Sequence, residues 1–268
     1  MRQACFLFPH PDDEFAVTVL IRDRCRSGVR VSCVYLTDGA FAGQSPVPRR
    51  RETLAALAGL GVNADDVLFL GEAEGISDGS LPMHLERALQ ALCCLEQLQS
   101  GDVELFCPAW EGGHQDHDAA HLIGLALDAR LRFARARQYS IYHGASLPGP
   151  LFRVLSPLAE NGASEDRSCS ARERVQQVLF CLNYPSQWKT FLGLLPCVAW
   201  RMLCDGRMRT QALDATRALQ SPHRGRPLYE RRGFMSERDF RLAVAGFIVR
   251  RIPAAHGVES APTDALRA

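Results

Sequence analysis

Two clusters of histidine and carboxylate stand far apart in this chain. Pro9-His10-Pro11-Asp12-Asp13-Glu14 crowds one histidine and three carboxylates into a single turn, and Gly112-Gly113-His114-Gln115-Asp116-His117 adds two histidines and an aspartate. Two histidines and one carboxylate form a nitrogen/oxygen donor set that suits zinc and leaves a fourth coordination position for water; the same donors admit iron or cobalt. His10, Asp13 and His117 can supply that set. Asp12 then lies in the same cleft, free to take a proton from a water that a metal has acidified. His114 precedes His117 by three residues, so near a helix start both rings face one side. As an imidazolium it could stabilise a developing oxyanion or protonate a leaving group. Asp116 suits an orienting role, holding the proton of one histidine.

Plainer readings stand beside these. Asp12-Asp13-Glu14 could cap a helix, because carboxylates at an N-terminus satisfy free N–H groups and favour the dipole. His114–His117 could be a polar loop entering a helix. His121, four residues after His117, is a rival ligand one turn deeper. His84, His143, His223 and His256 have no carboxylate cluster beside them.

The elements that would position the clusters alternate clearly in the first half. Strand 4–8 precedes a helix from Glu14 to about Ser27, and strand Val29–Leu36 ends at Thr37-Asp38-Gly39. A helix over Arg49–Leu60 stops at Gly61, a natural residue just past a helix end. Val67–Leu70 is a third strand, Leu81–Gln99 a helix, Val103–Cys107 a fourth strand, and Asp116–Arg130 a further helix. Strands alternating with helices imply right-handed βαβ units and a Rossmann-like α/β fold, its mostly parallel sheet flanked by helices. In strand order 3-2-1-4-5, strands 1 and 4 are neighbours at the switch point, where ligands bind outside the carboxyl ends. The metal site is therefore expected at the carboxyl ends of strands 1 and 4, and the plainer readings lose ground together.

Later segments are less legible. Gln138–His143 reads as a strand, and Asn161–Ser170 as a surface loop. Arg172–Leu203 reads as helix interrupted near Pro185 and Pro196, its segment Phe191–Leu203 apolar almost all round. That segment suits a buried helix or subunit interface, with contact to a membrane surface or lipid tail as the sharper reading. Ser221–Arg232 is a basic loop, and a last helix starts at Ser236 and ends near Arg250. The expected organisation is one α/β domain over 1–252, with a core at 1–145, a variable part at 146–252 and a flexible tail over 253–268.

The chain has 268 residues, a hydrophobic content of 47% and a net charge of +1, which give it a real core and no electrostatic case for nucleic-acid binding. Lys189 is the sole lysine. The ten cysteines include no C-x-x-C pair, and Cys5, Cys33 and Cys107 fall inside strands as small hydrophobes. The first apolar run breaks at Pro9, too short for a secretory signal, and no run is long enough to span a bilayer. A cytoplasmic, reduced protein without a transmembrane segment is expected; a homo-oligomer is allowed.

These residues read as a metal-dependent hydrolase, and their arrangement resembles a known family. Pro9–Glu14 is similar to the N-terminal signature of the PIG-L/LmbE-like deacetylases, and His114-Gln115-Asp116-His117 to their H-x-D-H motif. Thr37-Asp38-Gly39, Arg49 with Glu52, Leu60-Gly61-Val62 and Phe69-Leu70-Gly71 agree, and Tyr184-Pro185-Ser186-Gln187 resembles a late signature. The resemblance covers about residues 4–125. It implies zinc held by His10, Asp13 and His117, Asp12 as general base, His114 as oxyanion-stabilising histidine and Asp116 as its acidic neighbour. Arg49 matches a substrate-binding position.

The implied reaction is removal of an N-acetyl group from a glucosamine-containing substrate, giving a free amine and acetate. One departure is Gly112, where some members carry a tyrosine. Alternatives are a zinc amidase acting on another small amide or thiol-sugar conjugate, and a sugar-binding protein on the same fold. Arg49–Arg51 or Arg224–Arg232 would suit a phosphate-bearing sugar. A nucleotide-cofactor enzyme would require a glycine-rich loop where this chain has acidic side chains.

Overall fold

The computed structural model describes residues 2–40, 44–99 and 102–252; the expected tail at 253–268, with His256, lies outside the described residues. Strand β1 (Gln3–Phe8) leads through a 3₁₀ turn over Asp13–Ala16 into α1 (Thr18–Arg26). Then come β2 (Arg30–Tyr35), α2 (Val47–Ala58), β3 (Val67–Phe69), α3 (Leu70–Ala73), α4 (Leu85–Cys93), β4 (Val103–Pro108), α5 (Gln115–Leu131) and β5 (Arg135–Tyr139). The remainder comprises β6 (Tyr142–His143), β7 (Arg153–Val154), β8 (Ser164–Ser168), α6 (Ala171–Phe180), α7 (Trp188–Cys204), β9 (Arg207–Ala212), α8 (Leu228–Arg231) and α9 (Glu237–Arg251).

The main sheet has the order β3-β2-β1-β4-β5-β9-β8. Strands β1 to β5 pair in parallel, while β9 joins β5 and β8 joins β9 antiparallel. The expected Rossmann-like sheet is thus present, extended by two strands at one edge. β1 shows why it lies in the middle. Ala4, Phe6 and Phe8 enter one apolar cluster with Ile21 of α1 and Val198 of α7. Cys5 and Leu7 enter the other with Leu122 of α5 and Val244 of α9. A strand buried on both faces needs apolar residues at every position, which is what Ala4-Cys5-Phe6-Leu7-Phe8 provides. All ten cysteines are free.

Several expected elements differ. The helix expected over Leu81–Gln99 divides into a 3₁₀ turn at Leu81–Met83, α4, and a second turn at Glu96–Leu98, with Pro82 in the first turn. The strand expected over Gln138–His143 begins at Arg135 and breaks after Tyr139, because the buried Glu111 carboxylate takes the Ile141 and Tyr142 N–H groups at 2.8 and 2.9 Å. The loop expected over Asn161–Ser170 contains the edge strand β8, whose Asp166 meets Arg207 and Arg209 of β9 at 3.1 Å each. Charged edge strands carry no apolar alternation, so neither β8 nor β9 was visible as a strand. Helix α7 runs through Pro196 without interruption. The bond a proline removes there is to the carbonyl of Leu192, on the exposed side of the helix. The loop at Ser221–Arg232 includes one short helix, α8.

Candidate active site

The fold brings the two clusters together. β1 and β4 are adjacent and parallel, so the turn after β1 and the loop between β4 and α5 open onto one crevice. Asp13 bridges the clusters: its carboxylate meets His10 Nδ1 at 3.1 Å and His117 Nε2 at 3.3 Å. It also accepts the His10 backbone N–H at 2.9 Å, which fixes the turn. The opposite nitrogen of His10, Nε2, faces Asp116 at 3.0 Å and Asp78 at 3.2 Å. Asp116 is fully buried and also accepts the N–H groups of Gly79 at 2.6 Å and Leu81 at 3.1 Å.

Charge follows from this packing. Burial works against a charged His10, but Asp78, Asp13 and Asp116 hold its pKa well above the usual imidazole value. Burial likewise raises Asp13, and His117 and His10 overcome it to hold that carboxyl well below the ordinary range.

Asp12 occupies a strained position. Its φ of 133° lies where residues other than glycine are rarely found. Its backbone N–H is held by Glu14 Oε2 at 2.9 Å, and the other Glu14 oxygen accepts the Tyr184 hydroxyl. Tyr184 of the late signature thus ties the C-terminal half to the turn carrying Asp12. The Asp12 carboxylate pairs with Arg49 Nη2 at 2.7 Å. Burial pushes Asp12 up to about 6 against the opposing pull of Arg49. Arg49 is itself buried, and its other donors meet Pro11 O, Gly39 O at 2.9 Å and Asp78 at 3.3 Å. The geometry therefore places Arg49 as a clamp on Asp12.

At the other cluster, His114 accepts the Asp116 N–H through Nδ1 at 3.2 Å and so caps α5. Accepting there requires an unprotonated Nδ1, and the proton of the neutral ring then sits on Nε2. Burial, with His10 nearby, pushes His114 down to about 3. It is a neutral N–H donor in this geometry, where the sequence suggested an imidazolium. The plainer reading of Asp12 as a helix cap finds no support, since its side chain makes no cap hydrogen bond. The glycine before His114 is also required, because a Cβ on Gly113 would stand 1.9 Å from the Tyr142 carbonyl.

The donor set fits a metal. Both ring nitrogens of His117 are buried without a hydrogen-bond partner, and Asp13 approaches Nε2 only as an ion-pair contact. A bound ion would relieve that costly condition. Among the described residues, His10–His114–His117 and His10–Asp78–Asp116 are groups whose donor atoms all lie within 4.8 Å of one another. Asp13 is ion-paired to both His10 and His117 rather than part of either group. His121 is held elsewhere, Nδ1 on Pro108 O at 3.0 Å and its ring beside Trp110.

A cavity of about 480 Å³ opens over these residues, lined among others by Asp12, His114, Gln187, Trp188 and Phe234. Sequence reasoning missed two side chains in its wall. Asp78 sits in a loop with no motif around it. Tyr142 packs its ring 5.0 Å from that of His117, so a phenol reaches the site from β6 although position 112 is glycine.

Fold and site together define an α/β protein of the Rossmann-like class with a His/Asp group able to hold a metal ion at its switch point. Residues 5–127 match the model of the PIG-L family, described as GlcNAc-PI de-N-acetylase. No curated protein matches the chain. Among solved structures, a deacetylase triple mutant of the teicoplanin biosynthetic pathway is 19% identical with a TM-score of 0.56, over 79% of this chain and 97% of the other. A conserved protein of Thermus thermophilus is 20% identical with a TM-score of 0.57, over 79% and 94%. The N,N'-diacetylchitobiose deacetylase of Pyrococcus horikoshii is 17% identical with a TM-score of 0.53, over 79% and 82%. These likenesses establish the shared fold.

Proposed function

We propose that the protein is a metal-dependent hydrolase that removes the N-acetyl group from a glucosamine-containing substrate, releasing acetate and a free amine. The observation that carries the reading is the convergence of His10, Asp13 and His117 at the ends of β1 and β4, with both His117 ring nitrogens buried and lacking a hydrogen bond. The family description of the matching region supports the N-acetylglucosamine class.

His10, Asp13 and His117 would hold the ion, and zinc suits such a nitrogen/oxygen set. When bound, the metal would acidify a water and polarise the acetamide carbonyl. Asp12 takes the proton that this water loses as its oxygen bonds to the carbonyl carbon. Burial raises its pKa, which favours its holding that proton until the nitrogen leaves. The N–H on His114 Nε2 donates to the carbonyl oxygen as negative charge develops there. As the C–N bond breaks, Asp12 returns its proton to the departing nitrogen, leaving amine and acetate. Asp116 accepts from His10 Nε2 and fixes the ring with Nδ1 toward Asp13, the orientation in which His10 would serve as a ligand. Arg49 keeps the Asp12 carboxylate in place throughout.

The test is amine release from a panel of N-acetylglucosamine derivatives by chelator-stripped, zinc-restored and Asp12→Ala protein. Metal-restored activity that is lost in Asp12→Ala supports the reading. Metal-dependent hydrolysis confined to amides that are not acetylated sugars would replace it with the general amidase.

A further inference from the structure

Helix α7 is apolar on two faces. One is built into the core through Phe191, Leu194, Val198 and Met202. The other is open to solvent, with Leu192 69%, Trp200 67% and Leu203 73% exposed. A helix that is hydrophobic all round is normally covered on every side, and exposed apolar surface of this kind marks an interaction face. Helix α6, which packs against α7, adds Val175 and Leu179 at more than half exposure, and Leu182 follows in the connecting turn. No helix among the described residues is long and apolar enough to cross a membrane, so this surface would lie along a bilayer rather than span it.

Charge distinguishes the occupants. Helix α7 contains no acidic residue, and Lys189 stands on its first turn. Arg172 on α6 and Arg153 on β7 are exposed and make no ion pair among the described residues. Of the acidic groups nearby, Glu173 is paired with Arg167 and Asp205 with Arg201 and Arg209, while Glu52 accepts the N–H and hydroxyl of Ser186 just before α7 and has no ion pair among the described residues. Lys189, Arg172 and Arg153 outnumber that one carboxylate, so the net free charge around the patch is cationic. A twofold contact with a second copy would bring these cations toward each other, whereas an anionic lipid surface complements them. Tryptophan and leucine on a surface bordered by Lys and Arg is the pattern of a helix lying in a lipid interface.

We propose that the exposed face of α7, with Leu179 and Leu182 beside it, docks the protein onto a bilayer surface containing anionic lipid. The N-terminal turn of α7 also lines the cavity through Trp188 and Lys189, so docking sets the mouth of the site at the lipid boundary. The binding step itself does not rest on the chemistry proposed for the site.

The experiment is co-sedimentation of the full chain with vesicles of phosphatidylcholine alone and with about 30% phosphatidylglycerol, at low and high salt. Tryptophan emission and its quenching by brominated lipid are read in parallel, since Trp110 is buried and Trp188 and Trp200 are exposed. The expected result is binding to the anionic vesicles that weakens with salt, a blue shift with quenching, and a loss of about tenfold or more in the Leu192→Ser/Trp200→Ser/Leu203→Ser variant. No binding to either vesicle, binding without quenching, or a lipid-free dimer dissociated by the same variant would overturn the proposal. Quenching in the wild type decides the matter even if the variant fails to fold.

Discussion

His10 and Asp116 meet at 3.0 Å across 106 residues of sequence. The contact joins the turn after β1 to the first turn of α5, and it leaves the other nitrogen of His10 facing Asp13. A carboxylate that fixes one imidazole nitrogen determines which way the other points.

Replacing Asp116 with Asn tests that dependence. The amide cannot accept from His10, Gly79 and Leu81 together as the carboxylate does. We expect metal affinity to fall by roughly 10–100-fold, measured by competition with a chromophoric chelator. Unchanged affinity would mean that His10 is held without Asp116.

Asp12→Ala separates chemistry from metal binding. Asp12 pairs with Arg49, while Asp13 is the carboxylate that meets both histidines, so the variant should keep its metal. Turnover should fall by about 10²–10⁴-fold, the usual worth of a positioned general base. Steady-state assay alongside metal analysis checks both halves, and near-wild-type turnover would remove the base assignment.

Gly113→Ala should destabilise the protein by roughly 1–3 kcal/mol or more. The added methyl group would overlap the Tyr142 carbonyl, and both flanking segments are buried. Thermal melting measures the effect; a wild-type Tm would mean that the β6 turn moves away freely.

Much of this arrangement was legible in the sequence. Strands buried on both faces advertise themselves through unbroken apolar runs such as Ala4–Phe8, and their order at the switch point follows from the βαβ rule. That was enough to bring His10 and His117 to one crevice. Asp78 was invisible because a single acid in a loop carries no pattern, and only the backbone path of 77–81 delivers it to His10. Tyr142 was hidden for a related reason: its place depends on Glu111 capturing three groups of the β5–β6 turn, a tertiary contact without local signal. Arg49 was legible as a motif residue, but its burial against Asp12 was not.

A pH dependence of stability lies away from the site. Hydrogen bonding to Arg167 holds Glu173 at about 2, below its ordinary 4.5, and the same carboxylate accepts the Ser170 N–H at the start of α6. A lowered folded-state pKa gives stabilisation that is complete above the unfolded value and lost as pH falls through the folded one. The Tm difference between wild type and Glu173→Gln should hold above pH 4.5 and shrink between there and about 2. A difference independent of pH would assign the contribution to helix capping geometry alone.

The most direct test of the central claim is metal content by mass spectrometry on tag-free protein, wild type against His117→Ala. The site described here requires close to one zinc, or another divalent ion, per wild-type chain and its loss in the variant. Metal absent from both proteins, and not taken up on titration, would contradict it and leave the two clusters as structural hydrogen-bonding groups.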